Sequence, residues 1–290
     1  MQRVQVGLKV DDMKRIVILT GSELRHEYFR KTLAASPGIL VVRSYCEDQQ
    51  NDLRSQVSLS GGSQRLRMQH LADRETAERE AFQTAIQLTP DLSNPVELVR
   101  GEINSAVYRD EIVALEPDLV ISYGCSIIRE PLLSSFPRQF VNVHLGLSPY
   151  YRGSGTNYWP LVNNEPEYVG ATFMFIDSGI DTGEIIHQIR AEVVRGDTPS
   201  SIGNRLIIKM TEVMEKIIVR FEALKPLAQP SVPSESRYYT SKDFTEESVV
   251  ALYKNFQDGL IDRYLEEKQT RWSQLPLIRN QGLQGEEEES

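Results

Sequence analysis

Asn142 and His144 close the apolar run Phe140-Val141-Asn142-Val143-His144, and Asp181 lies in the glycine-flanked stretch Asp177-Ser178-Gly179-Ile180-Asp181-Thr182-Gly183. Residues two apart on a strand share a face, so the amide and the imidazole are expected to enter one cavity. The turn is able to bring a carboxylate to them. An amide donor, a neutral imidazole and a carboxylate suit acyl transfer to an amine. Asn142 would donate to the oxyanion that grows on an attacked carbonyl, a contribution of roughly 3 kcal/mol. His144 would relay a proton during attack or collapse. Asp181 would hold the ring in one orientation and stabilise its charged form. The same residue types also serve plainer ends, since strand-end Asn and His side chains often only satisfy the turn that follows. The Asp181 stretch has ordinary turn composition, and it lacks the loop of about twelve residues ending in Glu that calcium would need.

Other candidates are weaker. His26, His70 and His187 are isolated in the sequence and are read as structural or exposed. Gly153-Ser154-Gly155 is a fragment of a nucleotide-loop pattern without the Lys of a P-loop. Tyr158 and Trp159 are read as core or loop anchors. Cys46 and Cys125 have no metal-ligand spacing, no metal is called for, and two cysteines give no disulfide framework, which fits a reducing cytoplasm.

The elements that must position these groups follow from hydrophobic patterning. Arg15–Thr20 and Ile39–Val42 read as parallel strands buried on both faces, with a helix over 23–35 between them, a right-handed βαβ unit. Residues 47–64 read as a polar loop containing Gly61-Gly62-Ser63, and 64–88 as a charged helix with a solvated face. A helix near 109–115, strands at 119–122 and 140–144, and two more strands at 170–176 and 184–186 continue the pattern. Thr198 caps a long amphipathic helix with Pro199 at its first position, carrying Ile202, Leu206, Met210, Val213, Ile217 and Phe221 on one face. In such a sheet ligands sit outside the carboxyl ends of the strands, where Gly124-Cys125-Ser126, Asn142, His144 and the Asp181 turn converge. The expected division is an N-terminal extension (1–13), a catalytic domain (14–224), a Pro-rich linker (225–244), a helical segment (245–280, one helix over about 245–266) and an acidic disordered tail (281–290).

Composition narrows the class. With 290 residues, 40% hydrophobic and 25% charged, the chain reads as an ordinary soluble globular protein. It has no apolar run long enough to cross a membrane and no signal-peptide centre, so no membrane partner is expected. The formal net charge is -9, with four acidic residues in Glu286–Glu289. That balance argues against a long grip on a nucleic-acid backbone.

The order of these motifs resembles the 10-formyltetrahydrofolate-dependent formyltransferases. The stretch Asn142-Val143-His144-Leu145-Gly146-Leu147-Ser148-Pro149-Tyr150-Tyr151-Arg152-Gly153 is similar to the family's N-x-H-P-S-L-L-P-x-Y-R-G, and DSGIDTGEII to its D-x-G-x-D-T-G loop. The match covers roughly residues 15–222. It implies a Rossmann-like, mostly parallel sheet with flanking helices, with Asn142, His144 and Asp181 as the catalytic trio. It implies 10-formyltetrahydrofolate as co-substrate, bound along Tyr123, Gly124, Cys125, Ser126, Ile127 and Ile128, the backbone of the last three meeting the pteridine. Asp177, Ser178, Gly179 and Ile180 would close over the same ring. His144 is followed by Leu-Gly instead of Pro-Ser, and Ser148 replaces a leucine, departures that bear on acceptor and pocket shape more than on chemistry.

Among the family's branches, the layout resembles the nucleotide-sugar N-formyltransferases most: a shared core, an idiosyncratic C-terminal segment and often a dimer, so a homodimer is left open. A methionyl-tRNA enzyme should carry a basic C-terminal barrel, for which residues 223–290 leave too little chain. The acceptor would then be a nucleotide-linked amino sugar, with Tyr151, Arg152, Gly153, Thr156 and Asn157 as its contacts, Arg152 meeting a phosphate or merely anchoring its loop. Cell-surface polysaccharide assembly, such as O-antigen biosynthesis, is that branch's usual setting. A methionyl-tRNA or other amine formyltransferase, a hydrolase releasing formate, and a silent folate- or nucleotide-binding relative stay open.

Overall fold

Lys14–Gly21 forms β1, an interior strand of the sheet, because its side chains are apolar on both faces: Ile16 and Ile18 enter one core cluster, Val17 and Leu19 the other. The structure is a computed structural model that describes residues 13–48, 53–59, 64–231 and 236–283. What was expected of the N-terminal extension before residue 13, of Gly61-Gly62-Ser63 and of the tail beyond 283 lies outside the described residues. The further strands are β2 (Ile39–Glu47), β3 (Pro95–Leu98), β4 (Leu119–Tyr123), β5 (Phe140–His144), β6 (Tyr151–Gly153), β7 (Gly170–Phe175), β8 (Ile185–Arg190) and β9 (Arg237–Tyr239). The helices are α1 (Leu24–Ala35), α2 (Leu53–Leu59), α3 (Arg65–Leu88), α4 (Ala106–Ala114), α5 (Trp159–Val162), α6 (Pro199–Arg220), α7 (Glu246–Gln257) and α8 (Leu260–Gln274).

The main sheet has seven strands in the order β3-β2-β1-β4-β5-β7-β8. The first five in that order are parallel, while β7 runs antiparallel to both β5 and β8. This is the Rossmann-like, mostly parallel sheet with flanking helices and a helical C-terminal region that the patterning implied. One face is covered by α1, α3 and α6, whose Phe29, Leu33, Phe82, Leu206 and Met210 share a cluster with Ile16 and Ile18. Each such fully buried side chain stabilises by about 1.5–3 kcal/mol. The other face carries Ile112 of α4 with Val17, Leu19 and Phe140. Thr198 caps α6 as expected, its side chain accepting from Ser201 N–H at 3.1 Å, with Pro199 in the first turn.

Four expectations need correction. The polar stretch 47–64 was read as loop, yet it contains α2, because Val57 is buried against Leu71, Phe244 and Val249. The helix expected over 245–266 is broken at Gly259, which takes a left-handed φ of +81°, and continues as α8 to Gln274. Residues 281–283, assigned to a disordered tail, form a short 3-10 turn that buries Leu283. The stretch expected as linker also makes specific pairings: Leu227 exchanges two backbone hydrogen bonds with Ile185, and β9 lies parallel to β6.

Segment 278–280 runs along the outer edge of β8. Gln188 N–H donates to the Ile278 carbonyl at 2.9 Å, and Asn280 N–H donates to His187 Nδ1 at 3.1 Å. At the other edge, β3 is four residues long and starts with Pro95.

All three isolated histidines are buried. Burial, reinforced by Arg25, pushes His26 down to about 3, and burial with Arg74 pushes His70 down to about 4. Both are thus neutral in the fold, whereas the unfolded chain takes up protons below about 6.5. Stability is therefore fully present above that value and falls as pH drops below it, by up to roughly 1.4 kcal/mol per pH unit for each histidine. Urea midpoints at about pH 7.5 and about pH 5 should differ in that direction, with a smaller difference in His70→Phe. Equal midpoints would show that neither ring is held neutral.

Candidate active site

At the carboxyl ends of β4 and β5 the sheet presents polar side chains in place of apolar ones. Val141 and Val143 point into the core under α6, so Asn142 and His144 point to the opposite face. Ser122 on β4 is paired in register with Asn142, and its hydroxyl donates to Asn142 Oδ1 at 2.9 Å. With the carbonyl end of the amide occupied, Asn142 Nδ2 is the end turned outward to donate.

The His144 ring is buried and lies between two acceptors. Nε2 is 3.0 Å from the Tyr151 carbonyl, and Nδ1 is 3.3 Å from Asp181 Oδ1. A neutral imidazole has a single N–H and serves only one of them; the imidazolium serves both. Gly146 leaves the room this needs, because a Cβ there would stand 2.6 Å from His144 Nε2 and 2.7 Å from Thr156 Cβ. Gly146, the second residue of the Leu-Gly departure, thus leaves space that a side chain would fill.

Asp181 reaches the ring from an Asx-type turn in which Asp177 Oδ1 accepts from Gly179 N–H at 2.9 Å and from the Thr182 hydroxyl at 2.7 Å. Asp181 itself has a left-handed φ of +55°. Gln229 fixes that conformation by donating to the carbonyls of Asp181 and Gly183, each at 3.0 Å. The second carboxylate oxygen accepts from Gly153 N–H at 3.1 Å. The carboxylate therefore ties the turn, the histidine and β6 together.

The loop after β4 is held from beneath by Glu47, a buried carboxylate at the end of β2. It accepts from Ser126 N–H at 2.6 Å, from the Ser126 hydroxyl at 2.7 Å and from Gly101 N–H at 2.9 Å. The Ile127 carbonyl accepts from Asn104 at 3.0 Å. Of the backbone groups expected to meet a pteridine, Ser126 N–H and Ile127 C=O are thus taken. The Ser126 carbonyl and the N–H groups of Ile127 and Ile128 have no partner among the described residues. The Ile127 and Ile180 side chains are exposed on the two loops, an apolar pair suited to a flat ring. Burial, with Glu47 beside it, pushes the Cys125 thiol up to about 12, so it remains protonated and is no nucleophile.

The acceptor-side expectations fare unevenly. Tyr151 is buried, its hydroxyl donating to Glu165 and accepting from Asn163, and Thr156 is buried with its hydroxyl on the Leu145 carbonyl. Both side chains are committed within the protein. Asn157 Oδ1 accepts from Gly170 N–H at 3.1 Å. Arg152 is half-buried with Nε unpaired, on the face of β6 opposite Tyr151. Sequence reasoning passed over Ser122, Glu47 and Gln229. A polar residue near the end of an otherwise apolar strand was a signal for Ser122, but nothing local marked the other two.

An open, mostly parallel α/β sheet thus gathers an amide, an imidazole and a carboxylate at its carboxyl edge. The family model described as "Formyl transferase" matches residues 67–218, just over half of the chain, and the chain belongs to that family. The methionyl-tRNA formyltransferase of Desulforamulus reducens is 31% identical over 135 residues, covering 46% of this chain and 41% of that protein. That of Alkaliphilus oremlandii is 34% identical over 131 residues, 44% of this chain and 42% of that one. The chain thus spans about two fifths of the length of the curated relatives it matches. Among solved structures, a sugar N-formyltransferase from a Shewanella species superposes with a TM-score of 0.53 at 17% identity, covering 83% of this chain and 87% of that one. Phosphoribosylglycinamide formyltransferase from Anaplasma phagocytophilum gives 0.51 at 14% identity, covering 79% and 98%. An N-formyltransferase from Helicobacter canadensis gives 0.50 at 19% identity, covering 80% and 73%. At these identities the likeness is one of fold. Among the described residues no helix is long and apolar enough to cross a membrane.

Proposed function

We propose that this protein transfers a formyl group from 10-formyltetrahydrofolate to the primary amine of a nucleotide-linked amino sugar. The observation that carries the reading is the Asn142–His144–Asp181 cluster, with the Asn142 amide oriented by Ser122 and the imidazole lodged against the carboxylate. Formyl-folate supplies an activated formyl group on nitrogen. Asn142 Nδ2 donates to the oxyanion that forms as the amine attacks. His144 moves the proton, delivering it to the departing folate nitrogen and recovering it from the new amine. Asp181 compensates the charged ring. The C–N bond to folate breaks as the formamide C–N bond forms, with no net redox change.

The loop 124–128 with its unpaired backbone groups, together with the Asp177–Ile180 turn, serves as the folate cradle. Arg152 and Gly153 face the acceptor. The sugar acceptor is supported by the Shewanella sugar N-formyltransferase and by the Helicobacter protein, which is described with folinic acid and dTDP-3-aminofucose. On this reading residues 14–224 are the catalytic unit, the partners are small molecules, the setting is cytoplasmic, and a homodimer is the assembly to look for. Methionyl-tRNA is the second reading, favoured by the names of the sequence relatives.

Incubation with 10-formyltetrahydrofolate and a panel of nucleotide-linked amino sugars, beside initiator methionyl-tRNA and buffer alone, tests this. The expected result is the mass gain of one formyl group on a sugar. Formylated tRNA alone would move the acceptor, and formate release without an acceptor would make the protein a hydrolase.

A further inference from the structure

Strand β9 lies outside the stretch matched by the family model, yet one of its residues reaches the catalytic histidine through a single intermediary. Tyr151 offers its backbone carbonyl to His144 Nε2. The Tyr151 ring is clamped on every side. Its hydroxyl donates to Glu165 and accepts from Asn163 at 2.9 Å, and the Arg237 guanidinium lies over the ring with Cζ 5.5 Å from its centroid. Arg237 Nη1 donates both to the Tyr151 hydroxyl and to Glu165 Oε2, and Nη2 donates to Glu165 Oε1 at 2.9 Å. The backbone repeats the clasp: Arg237 N–H donates to the Tyr150 carbonyl at 2.8 Å, and Arg237 pairs in register with Tyr151. Next along the strand, Tyr239 stacks on Trp159 with ring centroids 4.1 Å apart and planes 8° apart. Burial and the Glu165 contact push the Tyr151 phenol far above its ordinary range, so it stays a donor.

We propose that Arg237 is a positioning residue for His144: by locking Tyr151 against Glu165 it fixes the carbonyl that selects which imidazole nitrogen carries the proton. A neutral ring has one N–H and two acceptors beside it, so the tautomer follows whichever acceptor stays within hydrogen-bond reach. With Tyr151 locked, its carbonyl at 3.0 Å competes with Asp181 at 3.3 Å for the single proton, and part of the neutral ring carries it on Nε2. With Tyr151 released, Asp181 draws the proton to Nδ1 and the ring turns. The inference rests on His144 as the proton-handling group, but the state of the ring is readable without turnover.

The test combines nitrogen-15 NMR of the histidine side chains with kinetics on Arg237→Met, Arg237→Lys and Glu165→Gln. Assigned by comparison with His144→Ala, the His144 signals of the wild type should show a resolvable Nε2-protonated share of the neutral ring. In Arg237→Met the proton population should move toward Nδ1. kcat should fall about tenfold, the scale of a small misplacement, while KM for both substrates stays within about twofold. Arg237→Lys keeps the charge but not the two-pronged geometry and should recover part of the loss. In a His144→Ala background, Arg237→Met should cost less than about twofold more. Glu165→Gln reports the same shift if Arg237→Met does not fold. An unchanged His144 tautomer, or a full independent loss in the His144→Ala background, would overturn the assignment. If the wild type transfers no formyl group, the NMR arm still decides the clasp, and only the functional reading falls.

Discussion

Replacing His144 with alanine should lower kcat for formyl transfer by at least about a hundredfold, the usual contribution of a positioned acid–base group. The loss should be specific to chemistry. His144 is buried between the Tyr151 carbonyl and Asp181, so its removal takes away the proposed proton carrier while the loop 124–128, anchored separately by Glu47, stays in place. KM for formyl-folate should therefore change little. Asn142→Ala should cost a further test quantity of its own, about 10²–10³ in kcat, since it removes an oriented oxyanion donor. The two losses should not multiply, because both groups serve one transition state. Rapid-quench measurement of the formylated product distinguishes a slowed chemical step from slowed release. Turnover independent of His144 would sink the mechanism while leaving the family membership intact.

Gly153→Ala should be strongly destabilising although it adds only a single methyl group. Gly153 has a φ of +88°, and a Cβ there would stand 2.1 Å from the Tyr239 carbonyl oxygen. A left-handed alanine costs about 1–2 kcal/mol, and overpacking against backbone adds about 1–3 kcal/mol. The strand cannot yield without cost, since Ser154 N–H donates to the same Tyr239 carbonyl at 2.8 Å and Gly153 N–H donates to Asp181. The expectation is a loss of roughly 2–5 kcal/mol in urea unfolding, with activity reduced even where the protein stays folded, because Asp181 loses a donor. A variant with the wild-type midpoint and rate would show that β6 and β9 are not held this close.

Six of the seven strands of the main sheet are legible because they are apolar runs, whereas β3, exposed at two of its four residues, is not; α6 is legible because its cap and its spacing agree. What escaped reading was structure decided by distant partners. The α2 segment has too few apolar residues to declare itself, and its Val57 finds cover only when α3 and α7 arrive. β6 and β9 are each three residues long and are strands only in each other's presence. At the site, Asn142, His144 and Asp181 could be picked out since strand alternation and turn chemistry act locally. Tyr151 was misread as facing the acceptor, because the contact that turns it inward comes from Glu165 and Arg237, the latter more than eighty residues away. Glu47 escaped for the same reason: a carboxylate ending a strand looks ordinary until Ser126 and Gly101 donate to it.

The cover along β8 has a consequence for how copies of this protein meet. An open sheet leaves two rows of unpaired backbone groups, each a template on which another chain can add a strand. Here the 278–280 segment occupies one row through its bonds to Gln188 and His187. The other row ends in a strand of four residues that begins with a proline, which has no N–H to offer. Among the described residues, sheet extension is therefore blocked along β8 and finds little template at β3. Peeling away residues 278–280 would expose the β8 row and favour aggregation over orderly assembly.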